Sequence, residues 1–181
     1  MEQKVLTVSI AGYNVAFTLE EALDPFFKCK NLDKIEVLIV NDGSTDRTEE
    51  IAEKYVRQSS GSIRLINKEN GGWGSTLNTA IQAGHGKYFK QLDGDDFYSY
   101  ENLDDFVLFL EQNDSDIVYS PFVTFDDKTG AVLRVVGGYD GLVPYRETIR
   151  ILFFCNISNF THNVCIAGQK SSISEIRIVS L

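Results

Sequence analysis

The chain predicts an α/β protein built on a mostly parallel sheet with helices on both faces. Three observations carry that prediction. Short apolar runs alternate with segments of helical spacing over the first two-thirds of the chain. The apolar runs are nearly continuous rather than alternating, as strands covered on both faces must be. A polar or glycine-rich stretch follows each of the first four runs, and ligands bind at the carboxyl ends of strands in such sheets.

Residues 5–11 form a β-branched apolar run, read as the first buried strand. Residues 18–28 carry Leu19, Ala22, Leu23 and Phe26 at helical spacing, with Pro25 expected to bend or end the helix early. The run IEVLIV, residues 35–40, is the second strand and stops at the turn formers Asn41, Asp42, Gly43 and Ser44. A helix is expected over 46–56, capped by Ser44 or Thr45, with Asp46, Glu49 and Glu50 near its positive end. Strands at 63–67 and 88–92 alternate with helices at 75–83 and 102–111, and a fifth strand begins at 116–119. Residues 122–125 and 132–136 then read as a hairpin around Asp126, Asp127, Lys128, Thr129 and Gly130, and 145–154 as a helix. The loops to watch are 11–14, 41–44, 67–74 and 93–96.

With 181 residues the chain is long enough for one sizeable core. Hydrophobic residues make up 43% and charged residues 24%, an ordinary globular balance. The net charge of −9 argues against nucleic acid as a partner, because a field of that sign repels phosphate. A phosphate ligand would need a local device, such as a cation or a helix N-terminus. Cys29, Cys155 and Cys165 form no CxxC pair, and His85 and His162 are the only histidines, so neither a disulfide frame nor a zinc centre is expected. The N-terminal apolar run is too short for a signal peptide, and no stretch reaches the ~18 apolar residues of a spanning helix. These features read as a cytoplasmic chain, compatible with peripheral attachment at the inner membrane face.

The sharpest chemical signal is Asp93, Gly94, Asp95 and Asp96, which follow the fourth strand. Three carboxylates in four positions repel one another unless a positive group joins them. Mg²⁺ or Mn²⁺ meets that need, since both prefer oxygen ligands and keep positions open for substrate phosphates. The plainer alternative is a solvated acidic turn or a helix cap. Asp42, placed likewise after the second strand, could accept hydrogen bonds from a base or a ribose; its plainer role is an Asx turn capping the next helix. Tyr13 could stack on a base or simply sit on the rim. A rival comes from Gly72, Trp73, Gly74, Ser75, Thr76 and Leu77: Asp93 follows Gly72 by 21 residues, near the ~20 of a dinucleotide fingerprint. Leu77 in place of the third Gly, the long loop before Gly72, and the extra acids at 95 and 96 weigh against it.

Taken together, VLTVSIAGYN, IEVLIVNDGSTDRT and KENGGWGSTLNTAIQAGHGKYFKQLDGDD, in this order over residues 4–125, resemble the family 2 glycosyltransferases of the GT-A fold. The resemblance implies transfer of a sugar from a nucleotide-diphosphate sugar, with UDP-sugars usual, to a hydroxyl of a glycan or lipid-linked acceptor, in cell-surface polysaccharide or glycan synthesis. It implies that Ala11 and Tyr13 line the base pocket and that Asp42 contacts the base. Gly72 and Asn78 belong to the nucleotide-sugar-binding set. Asp93 and Asp95 form the D-x-D pair that meets ribose and metal, and Asp96 supports their loop. Family members usually invert the anomeric centre in one displacement, which needs a general base. Two departures stand out: Ala11 and Gly12 replace a usual Pro, and Leu77 replaces an Arg common before the matching Asn.

The matching divides the chain into a donor-binding part, 1–125, and a partial acceptor-side region, 126–181. The chain reads as truncated on the acceptor side: neither a Glu-Asp motif nor a Gln-x-x-Arg-Trp follows Gly130, and Thr161 to Cys165 only loosely resembles a His-Asn stretch of relatives. Asp126, Asp127 and Asp140 are candidates for the base by residue type only, and surface turns are the more ordinary account of them. Two alternatives to transfer are a nucleotide-sugar-binding remnant without turnover and a nucleotidyltransferase or dinucleotide-binding protein.

Overall fold

The computed structural model describes residues 4–115, 117–120, 122–126, 128–136, 141–144, 164–167 and 175–180. The chain forms two compact units, Met1–Asn113 and Asp114–Leu181. In the first, strands β1 (Leu6–Gly12), β2 (Ile35–Asp42), β3 (Ile63–Lys68) and β4 (Tyr88–Asp93) pair in the order β3-β2-β1-β4, every pairing parallel. All eight residues of β2 are buried, so the one polar residue before Asn41 and Asp42, Glu36, has its carboxylate met by Thr7 and Arg64. Helices α1 (Leu19–Lys28), α2 (Thr48–Gln58) and α3 (Trp73–Ala83) form the three connections that these parallel strands require, and α4 (Tyr100–Gln112) follows β4.

The apolar stripe read in the first helix is the one α1 buries: Leu19, Ala22, Leu23 and Phe26. Full burial of Phe26 contributes about 2–3 kcal/mol. Pro25 does not stop α1, which runs on to Lys28. The amide that Pro25 lacks would have paired with the carbonyl of Glu21, an exposed residue of the preceding turn. On one side of the sheet Leu38, Val40 and Ala80 form a core cluster with Ala83 and Phe89.

The start of α2 needs a correction. Ser44 and Thr45 do not cap it, and Asp46 is not inside it. The Asp46 Oδ1 accepts the Thr48 amide at 3.0 Å, and its Oδ2 accepts the Ala16 amide at 3.1 Å. A carboxylate placed one turn early satisfies a free amide and favours the positive helix end. Ser44 and Thr45 bind Asn14 instead.

In the second unit β5 (Ile117–Tyr119) runs parallel to β10 (Glu175–Ser180) and antiparallel to β9 (Val164–Ala167), and β10 pairs antiparallel with β8 (Gly141–Pro144). The expected hairpin is present as β6 (Phe122–Phe125) and β7 (Val132–Val136), with a register shift at Thr124 and Phe125. The helix expected over 145–154 lies outside the described residues, as do Asp127, Asp140 and His162. Among the described residues no helix is long and apolar enough to cross a membrane.

Candidate donor-binding site

The loops after β1, β2, β3 and β4 meet in an open cleft of about 650 Å³, within the ~300–1,000 Å³ usual for ligand sites. Ala11, Tyr13, Asp42, Gly72, Asp93 and Asp95 all line it, so the structure gathers six of the residues singled out by sequence. Asn78 is exposed on α3 and does not line the cleft. Asp96 is not among the lining residues; its amide donates to the Asp93 carbonyl at 3.1 Å, which closes the turn between the acids.

The floor of the cleft is stitched by short polar bonds. Asn14 takes a left-handed conformation, φ 56°, which Asn tolerates better than most residues. Its amide donates to Ser44 Oγ at 3.0 Å and its side chain accepts from the Thr45 amide at 2.8 Å, tying the loop after β1 to that after β2. The Val15 amide donates to Thr48 Oγ1 at 2.9 Å. Thr18 Oγ1 donates to the Gly94 carbonyl at 2.6 Å. Gly94 has to be glycine here, since a Cβ would stand 2.9 Å from the Ala11 carbonyl oxygen and 3.0 Å from a Val15 methyl. Beyond the acids, Tyr98 packs edge-on against Phe26 at 5.7 Å and stacks on Phe106 at 6.4 Å, anchoring the far end of the acidic loop in the core.

Asp42 is 2% exposed and does not form the Asx turn; Asn41 does, accepting the Ser44 amide at 3.1 Å. The Asp42 carboxylate instead receives Lys68 Nζ at 2.5 Å, the Gly71 amide at 2.9 Å and the Gly72 amide at 2.8 Å. Burial alone would raise its carboxyl, but Lys68 and the two amides outweigh that and hold it below the usual carboxylate range. Asp42 is therefore ionised at the cleft floor and fixes the glycine-rich loop. Lys68 was not anticipated from sequence; its only trace there is a lysine closing a strand beside another that ends in Asp.

Asp93 is half-buried and Asp95 exposed. The indole Nε1 of Trp73 donates to Asp93 Oδ1 at 2.9 Å, a contact the sequence did not suggest. No group of three His, Cys, Asp or Glu side chains converges among the described residues, so these acids do not build a closed metal cage. The donor set suits a hard cation that takes one or two carboxylates and completes its shell with phosphate oxygens and water, as Mg²⁺ does. Asp126, in the second unit, spends its carboxylate on a turn, accepting the Thr129 hydroxyl and amide, both at 2.8 Å, and the Lys128 amide at 3.1 Å. Those bonds, led by the Thr129 hydroxyl, lower its carboxyl.

The sequence model described as "Glycosyl transferase family 2" matches residues 7–177, nearly the whole chain. The chain belongs to glycosyl transferase family 2. It is 39% identical over 114 residues to the uncharacterized glycosyltransferase EpsJ of Bacillus subtilis, covering 63% of this chain and 33% of EpsJ. It is 36% identical over 133 residues to an uncharacterized glycosyltransferase, RP339, of Rickettsia prowazekii, covering 72% and 40%. The chain thus spans well under half the length of these family members. Among solved structures it is similar to S. aureus TarS 1-349 in complex with UDP-GlcNAc, with TM-score 0.61 and 27% identity, covering 70% of this chain and 36% of that one. The fold is that of the GT-A glycosyltransferases. The dinucleotide rival also fails on local geometry: residues 69–71 separate the end of β3 from Gly72, so the loop is not the tight strand-to-helix turn of that fingerprint.

Proposed function

We propose that this family 2 chain binds a nucleotide-diphosphate sugar of the UDP class, with Mn²⁺ or Mg²⁺, and contributes the donor side of sugar transfer to an acceptor hydroxyl. The observation that carries the reading is the convergence of Asp42, Asp93 and Asp95 from two strand ends on one cleft. Asp42, ionised and buried, accepts a base N–H and so orients the nucleoside. Tyr13 and Ala11 flank it at the end of β1. Asp93 and Asp95 would hold the cation, which when bound offsets the diphosphate charge and the charge developing on the leaving nucleotide. The need is acute in a chain of net charge −9. TarS, solved with UDP-GlcNAc and with UDP, supports the UDP class. Residues 1–125 serve as donor half and 126–181 as part of the acceptor side, with a glycan or lipid-linked acceptor; a general base is not assigned.

The test is release of UDP from a panel of UDP-sugars, with and without Mn²⁺, by the chain and by Asp95→Ala. Metal-dependent release reduced at least 100-fold in Asp95→Ala supports the reading. Binding without turnover favours a donor-binding role alone. Release that ignores both metal and Asp95 contradicts the proposal.

A further inference from the structure

We propose that Trp73 is a positioning residue for Asp93: its indole N–H fixes the acid's Oδ1 and so presets the cation site before nucleotide arrives. The inference rests on the metal-diphosphate reading above. Trp73 is the only tryptophan of the chain and is 41% exposed at the rim of the cleft. A half-exposed indole could spend its one donor on water; here the donor lies 2.9 Å from Asp93 Oδ1.

The backbone leaves Trp73 little choice of position. Asp42 pins the amides of Gly71 and Gly72 just before it. Gly72 takes φ +79°, which only glycine adopts at no cost, and turns the chain into α3. The Ser75 amide returns to the Gly72 carbonyl at 2.9 Å, and Thr76 Oγ1 caps the Trp73 carbonyl at 2.6 Å. A run of bonds therefore leads from the nucleoside acid Asp42, through Gly71 and Gly72, to the indole on the metal acid Asp93. Two physical effects follow. A carboxylate held at one oxygen does not have to be ordered when a cation binds, so less side-chain entropy is lost. The N–H dipole also offsets part of the repulsion among Asp93, Asp95 and Asp96 while no cation is present.

The experiment is a titration of Mn²⁺ into the chain with saturating UDP, read by the electron paramagnetic resonance of free Mn²⁺, for wild type and Trp73→Phe. Phe keeps an aromatic ring and removes the donor. The expected result is a five- to tenfold weaker Mn²⁺ affinity in Trp73→Phe, with an unchanged circular dichroism spectrum. In the wild type, bound Mn²⁺ should also quench the emission of Trp73, which requires the cation to sit beside the indole; Trp73→His, which keeps a ring N–H, should hold near-wild-type affinity and carries the test if Trp73→Phe fails to fold. Equal Mn²⁺ affinities in the two proteins, or bound Mn²⁺ without quenching, overturn the role of Trp73 and leave the donor reading standing. No Mn²⁺ bound by the wild type with UDP overturns both.

Discussion

Asp104, on α4, gathers four donors from the end of α1: Cys29 Sγ, the amides of Lys30 and Asn31, and the Asn31 side chain, the last at 2.7 Å. Burial opposes its charge, yet these donors prevail and bring its carboxyl down to about 2. Burial, and then the same contact, pushes the Cys29 thiol up to about 12, so this cysteine is an inert packing group. A carboxyl whose folded value lies below its unfolded value of ~3.9 adds stability that is complete above pH ~4 and is lost as pH falls through about 2. Asp104→Asn is expected to cost roughly 1–2 kcal/mol at pH 7, allowing for partial solvent exposure, and to flatten the loss of stability between pH ~4 and ~2. Urea unfolding across that range measures both. None of this was legible in the sequence, because Asp104 and Cys29 stand 75 positions apart. Asp93 and Asp95 stood out in the sequence because three acids within four positions announce their own repulsion. Trp73 was not, because an indole N–H in a sequence carries no mark of where it points.

Strands and helices of the first unit were read well because each buries a continuous or periodic apolar set, a signal contained in neighbouring residues. Boundaries slipped where hydrogen bonds at the helix start decide them. The helix read from Asp46 begins at Thr48, since Asp46 is drawn out to serve the amides of Thr48 and Ala16. The helix read from Ser75 begins at Trp73, because Gly72 turns the chain and its carbonyl accepts the Ser75 and Thr76 amides. Glycines give a direct test at this scale. At Gly86 a Cβ would lie 2.4 Å from the Thr7 amide nitrogen, a collision with backbone that no rotamer change relieves. At Gly74, in the first turn of α3, a Cβ meets nothing within 4 Å. Gly86→Ala is expected to cost about 3 kcal/mol, whereas Gly74→Ala should add about 0.5 kcal/mol by restricting the unfolded chain. Chemical denaturation of the two variants separates them; equal effects would show that the packing of β1 against the loop before β4 is looser than described.

At the scale of the whole molecule, the first unit supplies every residue that lines the cleft, while the second supplies a mixed sheet and a hairpin. The cleft was legible because its lining sits largely in loops that each follow a strand in sequence. The acceptor side was not, because a general base is defined by the hydroxyl it faces and by no local pattern; Asp126, one candidate by type, is occupied in a turn. The central claim is that one cleft binds a cation and a nucleotide-diphosphate sugar together. Thermal unfolding of the chain with a UDP-sugar, with Mn²⁺, and with both tests it most directly. Linkage gives about 2.7 kcal/mol of stabilisation at a ligand concentration 100-fold above Kd. The expected result is a rise in Tm of several degrees with both ligands, a much smaller rise with either alone, and none in Asp95→Ala. A Tm unmoved by any nucleotide with metal, or moved equally in Asp95→Ala, would contradict it.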